Sequence, residues 1–151
     1  MKQLIVLFVI MAHLCSCGGS GSNENKAETS EEAIPSKEVS KSVSFKYPLD
    51  GAILSSPLVI EMEVEGMEIE PAGEVNEGKG HHHLIIDNPF IENGVVVPAN
   101  ETHIHYGLGQ IKAEINLEPG KHTLTLQFAD GVHVSYGEKM SASIEIEIVN
   151  Q

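Results

Sequence analysis

Histidine is the residue type in this sequence with the most capacity for chemistry. Eight histidines occur in 151 residues, and seven of them follow residue 80. Imidazole ligands without thiolates suit Cu(II), Zn(II) or Ni(II). We therefore predict a transition-metal site, with copper as the first candidate and zinc as the second. Its candidate ligands are His81, His83, His103, His105 and His133.

Four of these candidates form two His-x-His pairs. Alternate side chains of a β-strand share a face, so His81 and His83 point one way and His82 points toward the core. The same alternation puts His103 and His105 on one face of a second short segment. Opposed Cβ atoms in antiparallel strands are only about 4.5 to 5.5 Å apart. If the two segments are neighbours, four imidazoles converge.

Two further histidines lie near predicted turns. His133 follows the turn signal Asp130-Gly131. In an extended segment it would point to the face opposite its two valine neighbours, which makes it a fifth candidate ligand. His122 would lie on the same strand face as Leu124, which favours a buried structural role. The alternative for the whole set is that the rings hydrogen-bond to backbone and carboxylates, because a neutral imidazole offers one donor and one acceptor.

The elements that must position these residues are strands. Apolar and polar residues alternate with a period of two in several short runs, and no apolar stripe of helical period competes with them. We predict an all-β antiparallel β-sandwich of about seven strands, immunoglobulin-like, with a cupredoxin-like arrangement as the alternative. The segment Asn88–Glu101 is expected to be a long loop or a loop with an edge strand. The runs are 43–47, 58–64, 81–87, 102–106, 111–117, 124–128 and 144–148.

The N-terminus has the features of an export signal. A lysine precedes an 11-residue apolar run, Leu4 to Leu14, which is too short to span a bilayer. We expect 1–16 to be a lipoprotein signal peptide, because the segment ending at Cys17 resembles a bacterial lipobox. Cys17 is the expected lipid anchor, 17–42 a flexible linker, and 43–151 the folded domain. The predicted location is the cell envelope, at the outer membrane rather than the inner one.

Composition excludes several classes of function. The formal charge of −13 and the absence of arginine argue against nucleic acid as a partner. Both cysteines lie within the first 17 residues, so the domain has neither disulfides nor thiol chemistry. The sequence has no nucleophile elbow, P-loop or zinc-protease helix, and we do not expect an enzyme. A metal-activated water with Asp87 or Glu101 as the base is the one hydrolytic arrangement left open.

Four strings in the domain resemble the bacterial domain of unknown function family numbered 4399. They are 67–73, 78–87, 103–110 and 117–124, and the resemblance covers roughly residues 44 to 150. It implies an exported small β domain with no established activity. Members of that family carry a His-x-x-His pattern followed by prolines near the last turn. Here His133 holds the first position, Tyr136 stands in the second, and the prolines are absent.

Two hypotheses of function follow from these observations. The first is a lipid-anchored envelope sandwich that binds a transition metal, with Met67 and Met140 as further donors to Cu(I). The second is an envelope interaction module for a protein or a glycan, in which the histidines are structural. This second hypothesis predicts an exposed apolar patch around Pro89 to Val97.

Overall fold

Strands form where the period-two pattern predicts them. The computed structural model describes residues 40–150, so the predicted signal peptide, the anchor Cys17 and most of the linker lie outside the described residues. Within this range, no helix has the length and apolar character needed to cross a membrane. A 3-10 helix covers Glu138–Met140. The strands are β1 (Ser42–Tyr47), β2 (Ala52–Leu54), β3 (Leu58–Glu65), β4 (Glu68–Ile69), β5 (Lys79–Ile86), β6 (His103–His105), β7 (Lys112–Ile115), β8 (Gly120–Ala129) and β9 (Ser141–Ile148).

These strands form two sheets. One has the order β1-β3-β7, and the other has the order β2-β9-β8-β5-β4, with β6 also paired to β5. The pairs β2–β9 and β4–β5 are parallel, and the other strand pairs are antiparallel. The orders correspond to A-B-E and G-F-C of an immunoglobulin-type sandwich. The predicted all-β sandwich is therefore confirmed, with two short strands, β2 and β4, that the sequence pattern did not indicate.

The main core lies between the sheets. In β3 the side chains of Leu58, Ile60 and Met62 are buried, whereas the acidic residues Glu61 and Glu63 face outward. Both acids form ion pairs across the sheet surface, Glu61 with Lys112 at 2.6 Å and Glu63 with Lys46 at 2.7 Å. The acidic rows are therefore solvated faces of strands rather than a paired-carboxylate site.

Strand β5 is buried on both of its faces. His82 and Leu84 point toward the main core, whereas His81, His83 and Ile85 point away from it, and the exposure of all five is 0%. The segment between β5 and β6 covers the outer face. It is attached there by the Ile91 N–H, which donates to the side chain of Gln127, the residue paired with His83, at 3.0 Å. This segment is a long loop with two isolated antiparallel bridges, Val96 to Val134 and Asn100 to His103, in place of a full edge strand.

Candidate metal centre

The two His-x-His segments are neighbours, which is the condition for their imidazoles to converge. Strands β5 and β6 pair antiparallel, with His83 opposite His105 and Ile85 opposite His103. The ring centroids of His83 and His105 are 4.4 Å apart. His81 and His83 are each fully buried beneath the loop segment, so the cluster lies on the outer face of the second sheet rather than in the main core.

His133 reaches this cluster from a turn after β8. Its backbone has a φ of 68°, in the left-handed region that histidine enters more readily than most residues. The Asp130 carboxylate holds the turn, because its Oδ1 accepts the N–H groups of Val132 and Val134 at 2.9 Å each. The His133 N–H donates to the Asp130 carbonyl at 3.0 Å, and its own carbonyl accepts the Val97 N–H at 2.9 Å. Four hydrogen bonds thus fix the position of the ring.

The turn predicted from Asp130-Gly131 is present. The residue with a left-handed backbone in this turn is His133 and not Gly131. Gly131 is needed for a different reason: a Cβ atom there would overlap the carbonyl group of Glu74. The Gly73 N–H also donates to the Gly131 carbonyl at 2.8 Å. The segment around Gly73 therefore supports the His133 turn. The supporting role of Asp130 was not recognised from the sequence, although an Asx turn is what an Asp-Gly pair favours.

Three imidazoles meet at one point. The Nδ1 atom of His133 lies 3.0 Å from His81 Nε2 and 3.3 Å from His83 Nε2. One ligand atom from each of the three residues lies within 4.8 Å of the others, so this His cluster can hold a metal ion. Two nitrogens bound to one ion at 2.0–2.1 Å are about 2.9 Å apart at a right angle and about 3.4 Å apart at a tetrahedral angle. The two short separations fall in that range.

Hydrogen bonding alone does not account for these contacts. A ring nitrogen has either one proton or one lone pair, so His133 Nδ1 can form a good hydrogen bond with only one of its two neighbours. The second short contact therefore calls for an explanation other than a hydrogen bond, such as an ion shared by the three nitrogens.

The cluster keeps its rings neutral. Burial, reinforced by the neighbouring imidazoles, lowers the pKa of His81 to about 4 and that of His83 to about 2. Burial also lowers the pKa of His133, with a further contribution from His105. The Asp130 carboxylate opposes the decrease at His81 and His133 without cancelling it. At neutral pH the three rings therefore keep the lone pairs that metal binding requires.

His105 lies beside this group of three histidines, whereas His103 lies further along β6. The His105 ring is 4.4 Å from His83 and 4.7 Å from His133 between centroids, and its Nε2 donates to the Pro98 carbonyl at 2.9 Å. His103 lies opposite Ile85, and its Nδ1 is within 3.0 Å of Asn100 Oδ1. The three-residue group that can hold an ion contains neither of them.

His82 belongs to the core, as its parity predicted. Its ring is fully buried and packs edge-on against Phe128 at 5.2 Å. Both of its ring nitrogens and the hydroxyl of buried Tyr106 have no hydrogen-bond partner within residues 40–150. Burial lowers the pKa of His82 to about 4. The sequence showed that this histidine points inward but gave no sign that it is unpaired.

The other residues singled out in the sequence make contacts outside the histidine cluster. His122 is half-buried and structural: its Nδ1 is 2.8 Å from Asp87 Oδ2, and its Nε2 donates to the Glu118 carbonyl at 2.9 Å. Asp87 Oδ1 also accepts the Thr123 N–H, so this carboxylate already has partners. Met140 is buried in the main core, and the Tyr136 hydroxyl donates to the Lys79 carbonyl at 2.8 Å.

Comparisons with known proteins identify a family and leave the chemistry open. The model of the family described as "Domain of unknown function (DUF4399)" matches residues 60–149, which include all of the histidines described above. Neither a curated protein nor a solved structure matches the chain.

Proposed function

For this chain, which belongs to the DUF4399 family of domains of unknown function, we propose the binding of a transition metal in the cell envelope. The ligands that we assign to the ion are His81, His83 and His133. Copper is the first candidate and zinc the second. The family description names no activity, so the proposal depends on the geometry of the cluster.

The observation that carries the proposal is the position of His133 Nδ1, which is within hydrogen-bond distance of both His81 Nε2 and His83 Nε2. A hydrogen bond serves only one of these pairs, whereas an ion is shared by all three nitrogens. The ion would also remove the need for a proton between the rings.

The donor set supports copper over zinc. The ligands are three imidazoles, and the buried methionine Met140 lies in the main core, on the other side of the sheet. Nitrogen sites bind Cu(II) more tightly than Zn(II) in the general order of divalent metals. A tetrahedral arrangement of histidines also suits zinc, which is why zinc is the second candidate.

We assign the protein to the envelope on the basis of its N-terminal sequence. The apolar run, the lipobox-like segment ending at Cys17 and the Gly- and Ser-containing linker support a lipid anchor. In this proposal the anchor holds the domain at the outer membrane. The export route also supports a cysteine-free metal site, because imidazole ligands do not oxidise as thiolates do.

We further propose binding or transfer of the ion rather than hydrolysis. A hydrolytic site needs a base beside the metal-bound water. The candidate Asp87 forms hydrogen bonds with His122 and with the backbone of Thr123, and the histidine group contains no carboxylate.

The alternative of an interaction module also has a specific observation in its favour. Val95 and Val96 are 50% and 57% exposed, within the segment where an apolar patch was predicted. His103, His105 and His122 each have a hydrogen-bonded ring, as structural histidines would. The position of His133 Nδ1, close to a ring nitrogen of both His81 and His83, does not fit this alternative.

The test is a titration of the full chain, purified without an affinity tag, with Cu(II), Cu(I) and Zn(II). The informative variant is His133→Asn, since asparagine tolerates the left-handed backbone but removes the imidazole. His103→Asn is the matched control. We expect sub-micromolar binding that His133→Asn weakens strongly and that His103→Asn preserves. Equal binding by the wild type and His133→Asn would overturn the proposal.

A further inference from the structure

His105 is the histidine beside the cluster that the three-ligand group leaves out. Its ring lies closer to the His83 ring, at 4.4 Å, than the rings of His81 and His133 do, at 4.7 and 5.6 Å. Rings whose nitrogens bind one ion at 2.0–2.1 Å have centroids about 5 Å apart in a tetrahedral arrangement. The centroids of His105 and its neighbours His83 and His133, 4.4 and 4.7 Å apart, are slightly closer than this and are compatible with a four-histidine site.

We infer that His105 is the fourth ligand and closes the metal site from the solvent side, an inference that rests on the proposed function. His81 and His83 are fully buried, whereas His105 and His133 are only half-buried. The ion therefore enters past the two outer rings. His105 binds it last and covers it.

The hydrogen bond of His105 defines which atom binds. Its Nε2 donates to the Pro98 carbonyl, so in the neutral ring Nδ1 carries the lone pair. A metal-bound histidine usually donates its second ring N–H to a carbonyl or carboxylate. The His105 ring donates to a backbone carbonyl, so it already has the outer hydrogen bond of a ligand.

Completion of the site requires the His105 ring to move. In the structure, the His105 nitrogens do not join the three that lie within 4.8 Å of one another. Pro98 lies in the loop between β5 and β6, and this loop also donates the Val97 N–H to the His133 carbonyl. Closure therefore moves one ring and one loop, and the same loop contacts two ligands.

This inference has a chemical consequence. Three protein ligands leave one position for water, as in catalytic zinc sites, whereas four protein ligands close the site. With His105 in place, the ion is held and released without a bound water that could act as a nucleophile. Release then requires His105 to leave first.

The test compares His105→Gln with His103→Gln in the full chain, with Co(II) as a spectroscopic probe and Zn(II) for affinity. The control residue lies two positions away on the same strand face. We expect His105→Gln to weaken binding by at least the roughly 10- to 100-fold that loss of an outer-shell partner costs. Its Co(II) spectrum should change from four-nitrogen tetrahedral toward a site with bound water. His103→Gln should match the wild type in both measurements.

A second measurement does not depend on a variant. On addition of Zn(II), the ¹⁵N resonance of His105 Nδ1 in the wild type should shift to that of a metal-bound nitrogen, while Nε2 stays protonated. An unchanged His105 resonance, or a His105→Gln variant with wild-type affinity and spectrum, would overturn the fourth-ligand assignment alone. A wild type that binds neither ion, or whose binding survives His133→Asn, would overturn the proposed function itself.

Discussion

The Nε2 atom of His81 lies 3.0 Å from the Nδ1 atom of His133, although 52 residues separate the two in the chain. One ring is on a fully buried strand, and the other is on a turn held by an aspartate and by backbone hydrogen bonds. The pair therefore connects strand β5 of the second sheet with the turn that follows β8. Its geometry leads to predictions about metal binding, backbone strain, acidity and support of the turn.

A bound ion should stabilise the fold. At a free concentration 100 times the dissociation constant, a ligand specific for the native state adds about 2.7 kcal/mol. For a domain of this size, we expect the Tm to rise by roughly 10 °C or more. Calorimetry of the wild type with and without Cu(II) measures the change. The His133→Asn variant should show no comparable increase, and an equal increase in that variant would contradict the assigned ligands.

The left-handed backbone at His133 should distinguish between substitutions of the same ligand. The φ of 68° is tolerated by asparagine but is strained for a β-branched residue. We expect His133→Val to be less stable than His133→Asn by about 1–3 kcal/mol. Urea unfolding of both variants without metal gives the difference. Equal stabilities would mean that the turn relaxes to another conformation.

Acid should destabilise the metal-free protein over a defined range. In the folded state the pKa values of His81 and His82 fall to about 4 and that of His83 to about 2, against 6.5 for the free side chain. Between these values and pH 6.5 the unfolded chain binds protons that the folded chain does not. Stability is therefore complete above pH 6.5 and declines as the pH falls, by up to about 1.4 kcal/mol per pH unit for each ring.

The variant His82→Leu tests the contribution of one ring to this decline. It removes two buried nitrogens that have no hydrogen-bond partner among the described residues. We expect a gain of about 1–3 kcal/mol at pH 7 and a shallower loss of stability toward pH 4. Denaturant unfolding at a series of pH values provides both quantities. A steeper decline than in the wild type would show that His82 is not the unpaired ring described here.

His122 should have the opposite pH dependence. Burial lowers its pKa, but the hydrogen bonds to Asp87 and to the Glu118 carbonyl outweigh burial, and the pKa is raised. Its contribution is complete below pH 6.5 and is lost as the pH rises through the folded-state pKa. We expect His122→Gln to cost about 1 kcal/mol at pH 5 and less at pH 9.

The exposed ion pair between Lys46 and Glu63 provides the comparison for His122. Both of its side chains are more than one third exposed, so Lys46→Gln should change stability little and by the same amount at pH 5 and pH 9. If His122→Gln costs the same at both pH values, its ring is not charged in the folded state.

Gly131 should be required for the metal site although it binds no metal. A methyl group there would overlap the Glu74 carbonyl, so Gly131→Ala should cost about 1–3 kcal/mol and displace His133. Gly51→Ala is the control, because its φ is 76° and no atom lies within 4 Å of the added methyl. Both variants should lose stability, but only Gly131→Ala should weaken metal binding. If Gly131→Ala bound the metal with wild-type affinity, the conformation of the His133 turn would not be required for metal binding.

The sequence by itself determined the strands and the direction in which each side chain points. Alternation is a local property of extended backbone, so the pattern was sufficient to place His82 inside and His81 with His83 outside. The pattern did not determine whether β5 and β6 are neighbours; the pairing of His83 with His105 shows that they are.

Only the tertiary structure decided which histidines meet. The register of β6 places His105 beside the cluster and His103 two residue pairs further along. A pairing register depends on packing and turns rather than on alternation. His133 joins the cluster because its left-handed turn is held against Val97 and beside the Glu74 segment. Contacts between residues so far apart in the chain form only when the loops are ordered against the sheet.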